Sequence, residues 1–223
     1  MTYSTSINAI ISAARLLLRN RRSLLLMLAV YAGLLAAIYL FVSTREATVS
    51  QLVLTLVTVV AAPALFFLLQ AAIVNPTSRG LIKSSVKLLL VTAPVIALTV
   101  LAVYGLSKVQ THPTIVSTMR YLAWAVIAPL LVVQLWIVVS NGSLRMRNVF
   151  SRAFAPQSVF VYACGFVVFA VVPYLLLQKT IPAHRPWLEL SQLVLRLGLS
   201  ALLILLGWVL TVRTLSILNA PKT

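Results

Sequence analysis

The sequence predicts an all-α membrane protein, a bundle of six transmembrane helices with both termini in the cytoplasm. Three observations predict it: six long apolar runs, a mean hydropathy of +1.06, and 18 lysines and arginines against only 2 acidic residues among 223. A soluble domain does not reach this hydropathy, and a helix needs about 20 apolar residues to cross the hydrocarbon core. The runs are also too long for barrel strands, which alternate over about ten residues.

Six spans and the short segments that flank them account for the whole chain. The predicted spans are Ser23–Val42, Gln51–Val74, Leu88–Leu106, Tyr121–Ser140, Ser158–Gln178 and Leu193–Val212. Residues 1–22 are a basic amphipathic segment, residues 23–218 form one transmembrane domain, and residues 219–223 are a short tail. This length leaves no room for a separate soluble domain. No cleavable signal is expected, because the first run lacks a clear small-residue cleavage site.

The distribution of basic residues sets the orientation. The first segment, the loops after spans two and four, and the last segment together hold 12 lysines and arginines, whereas the other three loops hold 6. The richer side faces the cytoplasm by the positive-inside rule. The sequence therefore predicts a multi-pass protein of a bacterial inner membrane with both termini inside.

Basic residues at helical spacing precede spans one, three and five and predict three short elbow helices on the inner leaflet. Before span one, Arg15, Arg19 and Arg22 share one helix face. The opposite face carries Ile7, Ile11, Ala14 and Leu18. The residues expected to contact anionic headgroups are Arg15, Arg19, Arg22, Arg79, Lys83, Lys87, Arg145 and Arg152. Ordinary positive-inside loops are the alternative interpretation, and bound lipids are expected in either case.

Prolines and glutamines recur inside the spans. Spans two to five each contain one proline, namely Pro63, Pro94, Pro129 and Pro173. Each proline removes a backbone hydrogen bond and kinks its helix. Gln70, Gln134 and Gln178 follow three of them, and a buried amide bonds across helices for roughly 0.6 kcal/mol. Kinks and amides fit either a substrate path through broken helices or kinked packing, and packing is favoured because no carboxylate accompanies them.

Two pairs of small residues, each four residues apart, predict close helix contacts. They are Gly33 with Ala37 in span one and Gly207 with Thr211 in span six. Small residues allow neighbouring backbones to approach within a membrane.

Several kinds of chemistry are excluded by composition. No histidine lies in a predicted span, so haem cannot be held between span histidines, and the single cysteine, Cys164, cannot hold an iron–sulfur cluster or form an intrachain disulfide. The chain has no aspartate, which removes a Ser/His/Asp triad, and no glutamate within a predicted span for a proton relay. Nucleic acid is not expected as a partner, because the basic residues form no continuous soluble patch. We expect no cofactor, no metal and no catalysis.

Two candidate sites remain. Glu46, His112, His184 and Glu189 are all predicted on the outer side, where they would form a metal or acid–base site or remain solvated loop residues. Arg196 is the one charge predicted within a span. It is either a functional intramembrane charge, paired with Glu189 or Glu46, or an arginine that snorkels to the outer boundary.

The basic amphipathic stretch Ser12–Leu26 and the Gln70–Leu90 turn between spans two and three resemble a known kind of domain. They are similar to six-span bacterial membrane domains that are fused to glycerophosphodiesterases or occur in small inner-membrane proteins. The resemblance implies the six-span topology and no catalytic residue. Phosphodiesterase activity is not implied, because this sequence lacks a carboxylate cluster.

Three functions are compatible with these features. We expect a non-catalytic integral subunit or scaffold of a larger inner-membrane complex, with membrane lipids and other membrane protein subunits as partners. The first alternative is a small transporter, channel or lipid-handling protein that uses the kinked helices and would lose transport in Arg196→Leu. The second is a membrane-embedded enzyme that uses the outer glutamates and histidines and would lose activity in Glu189→Gln or His184→Ala.

Overall fold

Six long apolar helices make up most of the protein. The computed structural model describes residues 2–44, 48–74, 80–109, 112–140, 149–178 and 186–219. Its α-helices in chain order are α1 (Thr2–Arg19), α2 (Arg21–Ser43), α3 (Val49–Val74), α4 (Leu81–Val109), α5 (Pro113–Leu122), α6 (Ala128–Ser140), α7 (Val149–Ala153), α8 (Pro156–Phe166), α9 (Val172–Gln178) and α10 (Pro186–Leu218).

The predicted six-helix fold is confirmed. Within the described residues, six stretches are long and apolar enough to cross a membrane. They are Arg21–Ser43, Val49–Val74, Leu81–Val109, Pro113–Ser140, Pro156–Gln178 and Trp187–Leu218. Each contains the corresponding span predicted from the sequence.

Asn20 separates α1 from α2. Its backbone leaves the helical region at φ −101° and ψ 70°, and its side-chain oxygen accepts a 3.3 Å hydrogen bond from the Ser23 amide. Asparagine favours this position because its short side chain satisfies an otherwise unpaired amide at the start of a helix. The basic segment before span one is therefore a helix of its own, as predicted, but it ends at Arg19. The prediction that Arg22 shares its face is wrong, because Arg22 lies after the break, in the first turn of α2.

α1 has three faces, whereas the sequence predicted two. Four residues at helical spacing are buried, namely Ser6, Ala9, Ala13 and Leu17. The apolar residues predicted opposite the arginines do not form this buried face, since Ile7, Ile11 and Leu18 are 50%, 44% and 69% exposed. The exposed apolar face is available to lipid while the small residues pack against protein.

The elbow predicted before span three is not a separate helix. α4 runs without a break from Leu81 to Val109, so Lys83 and Lys87 lie in its first two turns, and both are exposed. An unbroken helix keeps the interior backbone hydrogen bonds that a separate elbow would give up. Before span five, a short α7 does precede α8, and Pro156 begins α8 where a missing amide costs no helical bond.

The chain folds as two compact units. The central unit comprises Leu18–Phe154, and the terminal unit combines Met1–Leu17 with Ala155–Thr223. α2 to α7 belong to the central unit, while the terminal unit holds most of α1 together with α8, α9 and α10. The sequence did not predict this division.

The buried core of the central unit is concentrated at one end of its helices. The side chains from Leu69 to Ile73 on α3 are buried, and buried residues between Ser85 and Thr92 follow on α4. Sequential helices that pack together across a short connection run antiparallel, so these two segments lie at the same end. Towards the other end of α4, the apolar side chains are exposed, and the exposed fractions of Leu98 and Val109 are 66% and 84%.

Two π-helical turns precede prolines. Ala123–Ile127 joins α5 to α6, and Val167–Val171 joins α8 to α9. After each turn, an amide bonds to the carbonyl five residues before it, and a proline, Pro129 or Pro173, occupies the next position. A proline ring clashes with the carbonyl four residues before it in a regular helix, and a wider turn relieves that clash.

α10 is the longest helix of the terminal unit and its main packing surface. Its 33 residues correspond to about 50 Å, against about 30 Å of hydrocarbon. α8, α9 and the turn between them all pack on α10. An aromatic contact marks this packing, since the rings of Phe169 and Trp208 meet edge to face with their centroids 5.3 Å apart.

Candidate functional site

In the buried core of the central unit, a side-chain hydrogen bond joins two helices. Trp136 Nε1 on α6 donates a 2.9 Å bond to Thr92 Oγ1 on α4, and the same hydroxyl donates a 2.7 Å bond to the Leu88 carbonyl. Both residues are buried, and Phe66 of α3 meets the Trp136 ring edge to face. The contact is structural, because each polar atom in it has its partner within the core.

The three glutamines of the spans have different environments. Gln70 and Gln134 are 1% and 0% exposed. Neither amide atom of Gln134 has a hydrogen-bond partner among the described residues, so its predicted bond across helices is not observed. Gln178 is exposed and donates to the Tyr174 hydroxyl on its own helix, so the prediction of a buried amide is wrong there.

A stripe of polar and small residues runs the length of α10 in the terminal unit. Successive members are three or four residues apart, with one gap of seven, so they share a helix face. We call this set the α10 stripe, and it comprises Glu189, Gln192, Arg196, Ser200, Gly207, Thr211 and Thr214. Ser200 is buried, and its hydroxyl has no partner among the described residues.

The C-terminal half of the α10 stripe makes the close contacts predicted for Gly207 and Thr211, so this prediction is confirmed. A Cβ added at Gly207 would lie 3.0 Å from the Cβ of Phe169 and 3.2 Å from its backbone nitrogen. A Cβ added at Gly165 would overlap Thr211 Oγ1 and lie 2.9 Å from its methyl carbon. Two glycines, one on each helix, thus set the distance between α8 and α10.

Gly33 and Ala37 also lie on a packed face. Ala37 is buried, and the nearest atom to a Cβ at Gly33 would be Leu65 Cδ1 of α3, at 3.7 Å. This is an ordinary van der Waals distance, so the contact does not require glycine.

A cavity of about 140 Å³ lies beside the glycine contacts, wholly within the terminal unit. It is lined by Ile10, Val161, Cys164, Gly165, Val168, Gly207, Leu210, Thr211 and Thr214. Both threonine hydroxyls are occupied, since Thr211 donates to the Gly207 carbonyl at 2.6 Å and Thr214 to the Leu210 carbonyl at 2.7 Å. The walls therefore offer no unpaired hydroxyl that would require water, and the cavity suits an apolar group. Because Cys164 is exposed, the cavity can be reached from the surface.

Arg213 precedes the cavity residue Thr214 on α10. Its Nε and Nη2 atoms are buried and have no hydrogen-bond partner among the described residues. Glu189 is the only acidic residue that the structure describes, and it lies 24 positions earlier on the same helix, about 36 Å away. A half-buried guanidinium with no counter-charge among the described residues is costly, so this end of α10 favours an anion from outside the chain.

Arg196 lies within α10, as predicted. It is half-buried, and its Nη2 donates a 3.2 Å hydrogen bond to Gln192 Oε1 one turn earlier. The apolar residues around it are more open, with Val194 62% and Leu195 71% exposed. Arg196 thus donates to an amide of the same stripe, and pairing with Glu189 or Glu46 stays a prediction.

The predicted outer cluster is not tested by the described residues, so it stays a prediction. Glu46 and His184 lie outside them. His112 caps the start of α5 in the central unit, and Glu189 is exposed in the first turn of α10 in the terminal unit. No group of three or more histidine, cysteine, aspartate or glutamate residues that could hold a metal occurs in the described part of the chain.

The residues predicted to contact headgroups are largely open. Arg15, Arg19, Arg22, Lys83 and Lys87 are exposed, as headgroup binding requires. Arg152 is half-buried in α7, and Arg79 and Arg145 lie outside the described residues.

The four prolines fall into two classes that the sequence did not distinguish. Pro63 and Pro94 lie inside the continuous helices α3 and α4, whereas Pro129 and Pro173 follow π-helical turns. None of the four lines the cavity. The alternative of a substrate path along the proline kinks therefore gains no support from the cavity.

Comparison with known proteins adds no relative. No family model, no curated protein and no solved structure matches the chain. The resemblance to glycerophosphodiesterase-fused domains stays a prediction.

Sequence reasoning missed the cavity, Ser200 and Arg213. Arg213 was counted among the cytoplasmic basic residues because the predicted span ended at Val212. The sequence signal that Arg213 lies in a buried turn was the helical spacing of apolar residues, which continues past Val212 to Leu215. These apolar residues keep this turn of α10 buried.

Proposed function

We propose that this protein is a non-catalytic integral subunit of a larger inner-membrane complex, with its termini in the cytoplasm, and that the outer part of α10 contacts another subunit. The observation that carries the proposal is that polar residues and exposed apolar residues lie next to each other on this part of α10. Gln192 and Arg196 lie on one face, and Leu190, Val194 and Leu195 beside them are 62%, 62% and 71% exposed.

Lipid alone is a poor environment for this surface. Exposed leucine and valine are as stable against acyl chains as against protein, but an arginine within a span is not. Intramembrane charges usually face a bundle interior and pair with another polar group. A neighbouring transmembrane helix packed against Gln192 and Arg196 would shield both from lipid and cover the apolar residues at the same time.

The charge balance supports an acidic partner. The chain carries 18 basic and 2 acidic residues, so it has few carboxylates with which to neutralise its own arginines. A partner with acidic groups near the membrane boundary would complement this surface, which sets partner choice and orientation more than affinity.

Photocrosslinking in the native membrane tests the proposal. A photoreactive residue at Leu195, expressed in place of the wild-type chain, should give one crosslinked band of defined protein mass. The photoreactive residue at position Leu98 of α4, which is 66% exposed, is the matched control for a side chain that faces lipid. At position Leu205, which is 1% exposed, it reports contacts within the protein. Equal crosslinking at Leu195 and Leu98, or only lipid adducts at both, would exclude a subunit interface on α10.

A second function is supported by the cavity. A small lipid-handling or transport protein needs a site for its substrate, and the terminal unit contains an apolar cavity beside a guanidinium that lacks a partner among the described residues. This candidate predicts that the purified protein moves a labelled anionic lipid between the leaflets of vesicles. Arg213→Gln should abolish the movement, whereas under the subunit proposal the isolated protein has no such activity.

A further inference from the structure

We propose that the terminal unit binds one anionic lipid, with its acyl chain in the cavity and its phosphate against Arg213. This inference does not depend on the proposed subunit role. Two separate observations carry it: an apolar cavity open to the surface, and a buried guanidinium with no partner among the described residues on the same helix.

The size and walls of the cavity fit hydrocarbon. Its volume is about 140 Å³, and apolar cavities of about 150 Å³ accept a benzene-sized group and stay dry. Because the hydroxyls of Thr211 and Thr214 already bond to carbonyls of α10, no wall hydroxyl competes for a polar ligand. A short segment of an acyl chain is an apolar group of this size that the surrounding membrane supplies.

The axis of α10 orders the two parts of the site as a lipid requires. The cavity extends along α10 from Thr214 to Gly207, which is about 10 Å of helix. Arg213 lies at the Thr214 end, next to the last turn of α10, where the helix leaves the apolar run. A phosphate at that end and a chain that runs towards Gly207 match the arrangement of a lipid in one leaflet.

Helix α1 also forms part of the proposed site. Ile10 of this amphipathic helix contributes to the cavity wall. The exposed Ile11 and Arg15 follow it on other faces of α1. A helix that lies in the membrane boundary, with its apolar side towards the acyl chains, would thus lie over the lipid where its chain enters the cavity.

The requirement for an anion follows from charge. The guanidinium is always protonated, and its two buried nitrogens are donors only. A lipid phosphate near the guanidinium would supply the negative charge that it lacks among the described residues. The described acidic residue Glu189 is too distant on α10 to serve.

Cys164 provides a direct reporter of occupancy. It is the only cysteine in the chain, it is exposed, and it lines the cavity. The rate at which N-ethylmaleimide modifies it would be measured by mass spectrometry in neutral detergent micelles. These would contain phosphatidylglycerol or phosphatidylcholine with identical acyl chains. Both lipids carry a phosphate, but the choline cation of phosphatidylcholine cancels its net charge, so phosphatidylglycerol should protect Cys164 at about one tenth of the phosphatidylcholine concentration.

Two arginine variants on one helix test the role of charge. Arg213→Gln should remove the difference between the two lipids. Arg196→Gln makes the same change 17 positions earlier, about 26 Å along α10, and should preserve it. Equal protection of the wild-type protein by both lipids, or an unchanged preference in Arg213→Gln, would overturn the proposal.

A second measurement separates the lipid from other anions and from misfolding. Inorganic phosphate at matched ionic strength should not protect Cys164, and protection by phosphate alone would overturn the assignment to a lipid. Lipid that remains bound to the purified wild-type protein, counted by native mass spectrometry, should be anionic. Cys164→Phe fills the cavity from an exposed position, so this variant should no longer retain the bound lipid. If Cys164→Phe retains that lipid, the cavity is not the site.

Discussion

The indole nitrogen of Trp136 donates a 2.9 Å hydrogen bond to the hydroxyl of Thr92, and this bond joins α6 to α4 inside the core of the central unit. The hydroxyl continues the chain of bonds to the Leu88 carbonyl. An aromatic ring and a threonine methyl thus fill space between two helices while every polar atom in the contact is satisfied. The bond fixes the register of α4 against α6.

Replacing Thr92 by valine should destabilise the protein. Valine preserves the shape of the side chain but leaves the buried indole N–H of Trp136 without an acceptor, which costs about 1–2 kcal/mol. Thr92→Ser should retain most of the stability, because it keeps the oxygen. Unfolding by a denaturing detergent, followed by Trp fluorescence, measures the difference.

Thr99→Val is the matched control on the same helix. The Thr99 hydroxyl bonds to the Val95 carbonyl of its own turn. Its loss should change stability by less than about 0.5 kcal/mol. Equal effects of Thr92→Val and Thr99→Val would mean that the bond to Trp136 contributes nothing to the fold.

Replacing Gly165 by alanine should separate α8 from α10. The added Cβ would overlap Thr211 Oγ1, and overpacking of this kind costs typically 1–3 kcal/mol. Thr211→Ala removes the overlapping atom, so the double variant should lose less stability than the sum of the single variants. Strict additivity in a thermal unfolding series would contradict the contact. Gly198→Ala on α10, where a Cβ meets nothing within 4 Å, is the control and should not destabilise.

The two glycines predicted from the sequence as contact residues should respond differently. Gly207→Ala should destabilise, because its Cβ would lie 3.2 Å from the backbone nitrogen of Phe169, which cannot rotate away. Gly33→Ala should be neutral or stabilising by up to about 1 kcal/mol, since its nearest neighbour is 3.7 Å away and alanine is the better helix former. Melting temperatures of both variants in one detergent decide this, and a loss at Gly33 alone would reverse the assignment.

These pairs show what the sequence can and cannot predict. Apolar runs about 20 residues long predict spans because a membrane imposes a length, and all six runs became helices. Small residues four apart predict a packed face in both Gly33 and Gly207. The spacing does not predict how tightly the partner helix approaches, since that depends on Gly165 and Phe169 from another part of the chain.

The candidate site was less predictable than the fold. Its cavity combines Ile10 from one end of the chain with Val161 and Thr214 from the other, and no local pattern predicts that they meet. The π-helical turns were missed for a related reason: Pro63 and Pro129 both follow alanine, yet only Pro129 has a π turn before it. A proline shows that a helix must adjust, and the surrounding packing determines how.

Replacing Gln134 by methionine should stabilise the protein. Gln134 is 0% exposed, and neither amide atom has a hydrogen-bond partner among the described residues. An unpaired buried polar group costs about 1–3 kcal/mol, and methionine fills a similar volume without polar hydrogen-bonding groups. The midpoint of unfolding in a denaturing detergent should therefore rise in Gln134→Met. Leu135→Met, at the next position of the same core and 8% exposed, is the control for a change to methionine that removes no amide. A fall in the midpoint of Gln134→Met below that of Leu135→Met would mean that the amide has a partner, such as a bound water, and that this partner contributes to the stability of the central unit.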